Sequence, residues 1–171
     1  MVEETTGAKV WVGTIEDVDV PEGMFNAVAS RHVIEHAYHP TRFVQRAASF
    51  LKPGGFLYIL TPNFNSLGRR SHHKDWHALD PPRHLNLLTP RSLRFVCEST
   101  GLLRVTSCRT LTRFHDEMQY VYTLRETGHF KGEYHLNFPQ QLSARAFNWL
   151  ENAGNRFFKW GEEIEVIAQR I

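Results

Sequence analysis

Along residues 25–63 the hydrophobic pattern changes period twice. Phe25 to Ser30 is a short apolar run closed by polar residues, which predicts a strand. From Pro40 to Lys52 the apolar positions Phe43, Ala47, Phe50 and Leu51 recur at the offsets of one helical face. Pro53-Gly54-Gly55 is expected to stop that helix, because proline cannot continue it and glycine turns it cheaply. Phe56 to Thr61 is apolar on both faces, which predicts a strand covered on both sides. Two strands joined by a helix are expected to lie parallel with a right-handed crossover. Ligands of open parallel sheets bind beyond the carboxyl ends of the strands. Those ends are Ser30-Arg31-His32 and Thr61-Pro62-Asn63, so both triplets are expected to line one crevice.

On the amino-terminal side, Lys9 to Gly13 reads as a short strand, followed by a polar loop and a turn at Pro21-Glu22-Gly23. Residues 64–88 have no clean period and read as an irregular lid or active-site loop. Thr89-Pro90 has the chemistry of an N-cap followed by the first helical residue; Leu93, Val96, Cys97 and Thr100 continue one face, and Gly101 ends it. Leu102 to Cys108 reads as a strand, Phe114 to Arg125 as a helix and Gly128 to Asn137 as a loop. Pro139 opens the longest helix, whose apolar stripe is Leu142, Ala146, Trp149, Leu150, Ala153 and Phe157, with Gly161 at its close. Glu163 to Arg170 alternates Ile164, Val166 and Ala168 against charges, a half-buried strand antiparallel to the one starting at Leu102.

Composition adds limits. A chain of 171 residues, 42% apolar, suits one domain with a real core. A net charge of +2 gives no argument for nucleic acid. No apolar run approaches ~18 residues, so no membrane span is expected, and the acidic, polar MVEETTGAKV start does not read as a signal peptide. Cys97 and Cys108 do not make a metal or disulfide framework and read as reduced thiols of a cytoplasmic protein.

In this order, Arg31-His32-Val33-Ile34-Glu35-His36, Pro40, Leu51-Lys52-Pro53-Gly54-Gly55 and Thr61-Pro62-Asn63 resemble the class I S-adenosylmethionine-dependent methyltransferases, in the branch acting on small molecules and glycans. The resemblance implies an α/β, Rossmann-like fold, with a mostly parallel sheet ending in an antiparallel hairpin. Residues 1–171 would form one partial domain, with a helical insertion at 111–160 before the last strand. It also implies S-adenosylmethionine as cofactor and a small-molecule or glycan acceptor methylated on oxygen. The family's glycine-rich loop after its first strand, and the acidic residue ending its second, have no counterpart: the only adjacent glycines, Gly54 and Gly55, precede a strand. The resemblance therefore implies a domain lacking its first two strands, with weak or no cofactor binding and an exposed sheet edge suited to self-association. The alternative is a non-catalytic methyltransferase-like module that pairs with another chain.

Methyl transfer to a hydroxyl needs orientation and a proton acceptor, and histidine suits the latter near neutral pH. His32, His36 and His84 are the candidate catalytic residues. By resemblance, Thr14, Ile15 and Glu16 would frame the adenine, and Ser30, Arg31 and His32 the methionine end. Asn63, Trp76, His77, Arg83 and His84 would meet the acceptor, Trp76 by stacking and Arg83 by holding an anion. Structural readings stand beside these: Glu35 and His36 as braces of the crossover helix, Trp76 as a loop anchor, Thr14 to Glu16 as a polar turn. His72, His73, Asp75, His77 and Asp80 do not complete a metal site, and no metal is assigned.

Overall fold

The computed structural model describes residues 7–112, 121, 122, 124, 125 and 136–171. In chain order the elements are β1 (Phe25–Arg31), α1 (Pro40–Ser49), β2 (Leu51–Pro62), α2 (Leu67–His72), α3 (Pro90–Glu98), β3 (Leu103–Leu111), α4 (Phe138–Phe158) and β4 (Glu163–Arg170). Short 3-10 turns lie at Ile34–His36, His73–Asp75 and His77–Leu79. The sheet is mixed, in the order β1-β2-β4-β3. β1 runs parallel to β2, and β4 lies antiparallel to both β2 and β3. The carboxyl ends of β1 and β2 therefore share one rim with the amino end of β4. Ser30 pairs with Ile59, Arg31 with Leu60 and Pro62 with Glu163.

One face of the sheet holds the core. Leu57, Ile59, Ile164 and Val166 pack with Phe43, Val44 and Ala47 of α1 and Leu93 and Cys97 of α3. The first turn of α3 is closed by a capping box, in which Thr89 and Ser92 each receive a backbone N–H of the other. The opposite face is less covered. Phe56 is 44% exposed, and the Tyr58 hydroxyl donates to Glu165 at 3.3 Å. The expectation that Phe56–Thr61 is covered on both sides fails at its amino half. β4 departs the other way: Glu163 and Glu165, on its charged face, are both buried, Glu165 beneath Arg109.

Other expectations also need correction. Lys9–Gly13 is not a strand; Lys9 sits over the Trp11 ring at 4.6 Å, and Trp11 meets Phe25 edge-on. β-propensity makes a strand only where a ladder partner is in reach. Pro53-Gly54-Gly55 does not stop the helix, which ends at Ser49. Instead it forms an irregularity in β2, because Phe25 pairs with Leu51 and Ala27 already pairs with Phe56. Gly54 has φ +79°, and a Cβ on Gly55 would lie 2.9 Å from the carbonyls of Asn26 and Lys52. Within residues 64–88, α2 and two 3-10 turns occupy Leu67–Leu79 apart from Trp76, and residues 80–88 carry no helix or strand. Of the helix expected at Phe114–Arg125, only Val121, Tyr122, Leu124 and Arg125 are described, and they are helical; most of the loop expected at Gly128–Asn137 lies outside the described residues.

The face of α4 is reversed. Ala144, Glu151 and Gly154 are buried, while Leu142, Trp149, Leu150 and Phe157 are exposed. Close approach decides this, since a Cβ on Gly154 would lie 2.1 Å from Trp160. Polar bonds hold the helix to β3: Thr112 donates to Asn152 at 2.6 Å, and Asn155 donates to the Thr110 carbonyl at 2.8 Å.

Candidate functional site

The chain leaves β1 at His32, whose backbone N–H donates to the Leu60 carbonyl at 2.9 Å. His32 has φ 51°, in the left-handed region, and there the strand turns into the 3-10 turn Ile34–His36. Both ring nitrogens of His32 face carboxylates: Nε2 lies 2.8 Å from Glu163 and Nδ1 3.3 Å from Glu35. Hydrogen bonding to Glu163, then to Glu35, holds the imidazolium, and the His32 pKa is raised to about 9.

Glu35 is almost completely buried. Burial alone would raise its pKa, but His32, backbone hydrogen bonding and the Thr61 hydroxyl, at 2.8 Å, together lower it. The Glu35 backbone carbonyl accepts from the N–H groups of Leu85, at 2.8 Å, and Asn86, at 3.0 Å. The loop that carries His84 is thereby docked on the rim.

His36 Nδ1 lies 2.9 Å from the Arg83 carbonyl, and His84 Nδ1 2.8 Å from the Ala78 carbonyl. A carbonyl only accepts, so both rings carry their proton at Nδ1 and, when neutral, their lone pair at Nε2. The two rings meet edge-on, with centroids 4.8 Å apart. One ligand atom from each of Glu35, His36 and His84 lies within 4.8 Å of the others, so these three side chains could hold a divalent cation. This set differs from the His72–Asp80 stretch considered in the sequence.

The remaining expected site residues divide. Ser30 and Arg31 are on the rim, Ser30 buried with no hydrogen-bond partner for its Oγ and Arg31 exposed. Thr14, Ile15 and Glu16 are not there. Glu16 lines a cavity with Ser49 and Arg170, at the amino ends of β1 and β2, and Ile15 packs on the core. A short turn, in which the Thr14 carbonyl receives the N–H groups of Asp17 and Val18, ties the segment there.

Asn63 lies on the rim, but its side chain is committed. It donates to the carbonyls of Gly161 at 2.7 Å and Lys159 at 3.1 Å, and accepts from the Asn65 N–H at 2.9 Å. Trp76 is 2% exposed beside Phe64 and anchors the loop, so it offers no face for stacking. His77 Nε2 lies 3.3 Å from Glu162, and burial, with His84 nearby, pushes its pKa down to about 4. Arg83 is exposed and bound to Asp80 at 2.5 Å.

Three buried acids were missed in the sequence. Glu163 read as the polar side of a half-buried strand; only the antiparallel register opposite Pro62 turns it toward His32. Glu162 precedes the strand and receives His77. Glu151 hid on the presumed solvent side of α4; burial, and then Glu162, raise its pKa to about 8.

Residues 5–107 match a family described as a methyltransferase domain. The chain belongs to that family. Over 53 residues this methyltransferase domain is 40% identical to the ubiquinone biosynthesis O-methyltransferase of Xanthomonas axonopodis pv. citri (strain 306), covering 30% of this chain and 22% of that protein. Over 52 residues it is 42% identical to the mitochondrial ubiquinone biosynthesis O-methyltransferase of Mus musculus, covering 30% and 14%. The aligned part thus spans less than a quarter of either curated relative. Among solved structures, a SAM-dependent methyltransferase of Thermotoga maritima superposes with a TM-score of 0.60 at 16% identity, covering 100% of this chain and 69% of that one. The geranyl diphosphate C-methyltransferase of Streptomyces coelicolor A3(2), solved with S-adenosyl-L-homocysteine, gives 0.52 at 16% identity, covering 94% and 51%. At such identities the likeness is one of fold: the α/β, Rossmann-like fold of the class I methyltransferases, here with a mixed sheet. Among the described residues no helix is long and apolar enough to cross a membrane.

Proposed function

We propose that the rim formed by β1, β2 and β4 takes part in S-adenosylmethionine-dependent methyl transfer to an oxygen of a small molecule or glycan. The observation that carries this reading is the Ser30 hydroxyl, buried and unpartnered at the carboxyl end of β1, directly before the His32–Glu35–Glu163 constellation. An orphaned hydroxyl there suits a polar ligand, and the family resemblance assigns this rim to the methionine end of the cofactor. The names of the two curated O-methyltransferases support an oxygen acceptor.

Ser30 and Arg31 would hold the cofactor, which supplies the methyl group. His32, kept cationic by two carboxylates, does not accept a proton near neutral pH. It holds Glu35 and Glu163 in place. The acceptor's proton goes instead to His36, an exposed ring whose Nδ1–H is fixed on the Arg83 carbonyl, leaving Nε2 as the base. His84 sets the plane of His36 by edge contact.

A titration with S-adenosylhomocysteine, followed by amide chemical shifts, tests the reading. The largest shifts are expected at Ser30–His32 and Thr61–Asn63. Shifts centred on Glu16, Ser49 and Arg170, or none at the solubility limit of the ligand, would overturn it.

A further inference from the structure

A second cavity, of about 530 Å³, lies between α3, β3 and the turn after α4. Its lining includes Arg91 and Arg94 of α3, Lys159 after α4, the amide of Asn65, Cys108 of β3 and the ring of Phe158. Among the described residues no carboxylate lines it. Arg94 is paired with Glu98 at 3.1 Å, but Arg91 and Lys159 have no ion pair among the described residues. Like charges gathered round one cavity repel, and an anion in it relieves that repulsion.

Two features of the chain add to this. Lys159 has φ 55°, at a helix C-terminus where glycine would sit without cost. The Asn63 side chain, bonded to its carbonyl, holds that conformation. A lysine kept in a glycine position is accounted for if its ammonium is needed there. Phe158, 60% exposed, stacks on Trp160 with centroids 4.9 Å apart and 26° between planes. That pair gives a supported aromatic face beside the cations, as a base-stacking surface requires.

We propose that this cavity binds a nucleoside diphosphate, its phosphates held by Arg91, Arg94 and Lys159 and its base on Phe158. Arginine gives planar, two-pronged contacts to phosphate oxygens, and lysine gives a point charge. The site stands apart from the methyl-transfer reading and does not depend on it. Asn65 and Lys159 connect it to the rim through Asn63, so a diphosphate-linked ligand seated here would reach toward the rim.

Calorimetry on the full chain with uridine diphosphate, pyrophosphate and uridine tests the proposal. Uridine diphosphate is expected to bind most tightly, pyrophosphate more weakly and uridine not measurably. Lys159→Gly is the decisive variant, since glycine is favoured at that backbone position and the fold has no reason to suffer. It is expected to weaken uridine diphosphate at least about ten-fold, as is Arg91→Ala, and raised salt is expected to weaken the wild type. Equal binding by Lys159→Gly and the wild type, or no binding of uridine diphosphate, would overturn the site. Pyrophosphate binding as tightly as uridine diphosphate would reduce it to a phosphate site and remove the nucleoside.

Discussion

Glu163 Oε1 of β4 lies 2.8 Å from His32 Nε2, at the end of β1. Since β2 runs between these strands, the contact crosses the rim over it and ties the antiparallel half of the sheet to the parallel half. Glu35 completes the arrangement at His32 Nδ1, buried and bonded by the Thr61 hydroxyl. One imidazolium thus joins the two outer strands of a three-strand rim.

This contact predicts a pH dependence. The pKa of His32 is raised from 6.5 unfolded to about 9 folded, so the folded state binds its proton more tightly. The stability it contributes is complete below pH 6.5 and is lost as pH rises through about 9. Urea midpoints measured across that window are expected to fall for the wild type. For His32→Gln the fall is expected to be smaller, and identical slopes would count against the contact.

How much of this was legible in the sequence follows physical lines. The parallel pair β1–β2 and its shared rim could be read from Phe25–Asn63, because local periodicity carries the signal even where the turn signal at Pro53-Gly54-Gly55 misled. β4 could be read as antiparallel from its alternation. The buried face of α4 could not: Leu142, Trp149 and Phe157 have helical spacing, yet small residues and asparagines make the contact. Helical periodicity finds a stripe but does not say whether close approach or apolar area decides packing. The partners of His32 were hidden for another reason. Glu163 is far away in sequence, and only strand register brings it near. Thr14–Glu16 were placed by the resemblance alone; in the fold a local turn at Thr14 and Asp17 holds them away from the His32 rim.

Asn63 predicts a structural, not a catalytic, phenotype. Its fully buried amide satisfies the carbonyls of Lys159 and Gly161 and holds the turn between α4 and β4. Asn63→Ala leaves two acceptors unpaired, each at a cost of about 1–3 kcal/mol. Thermal unfolding is expected to show that loss, and Asn63→Asp, which cannot donate, is expected to resemble it. A variant as stable as the wild type would mean that other donors replace the amide.

Gly55 allows β2 to pass β1 after the irregularity at Lys52–Gly55. A methyl group there meets two backbone carbonyls at 2.9 Å, and backbone does not yield as a flexible side chain does. Gly55→Ala is expected to cost about 1–3 kcal/mol by overpacking. Amide exchange checks where the damage falls: protection is expected to drop first at Phe25–Ala27, and a uniform drop along the sheet would argue against a local clash.

Glu151 gives the last prediction. It is 1% exposed on the inner face of α4, its Oε1 has no hydrogen-bond partner, and burial, followed by Glu162, raises its pKa from 4.5 to about 8. A carboxyl whose folded pKa is raised favours folding in its protonated form. Its contribution is complete below pH 4.5 and is lost as pH rises through about 8, where the folded chain must carry a buried charge. Glutamine has nearly the shape of the protonated acid and never ionises. Glu151→Gln and the wild type are therefore expected to unfold alike near about pH 5, with the variant the more stable near about pH 9. Denaturant midpoints at the two pH values measure the difference. If the wild type keeps pace with Glu151→Gln at the higher pH, Glu151 has found a partner or solvent, and the polar interior beneath α4 is wetter than its burial implies.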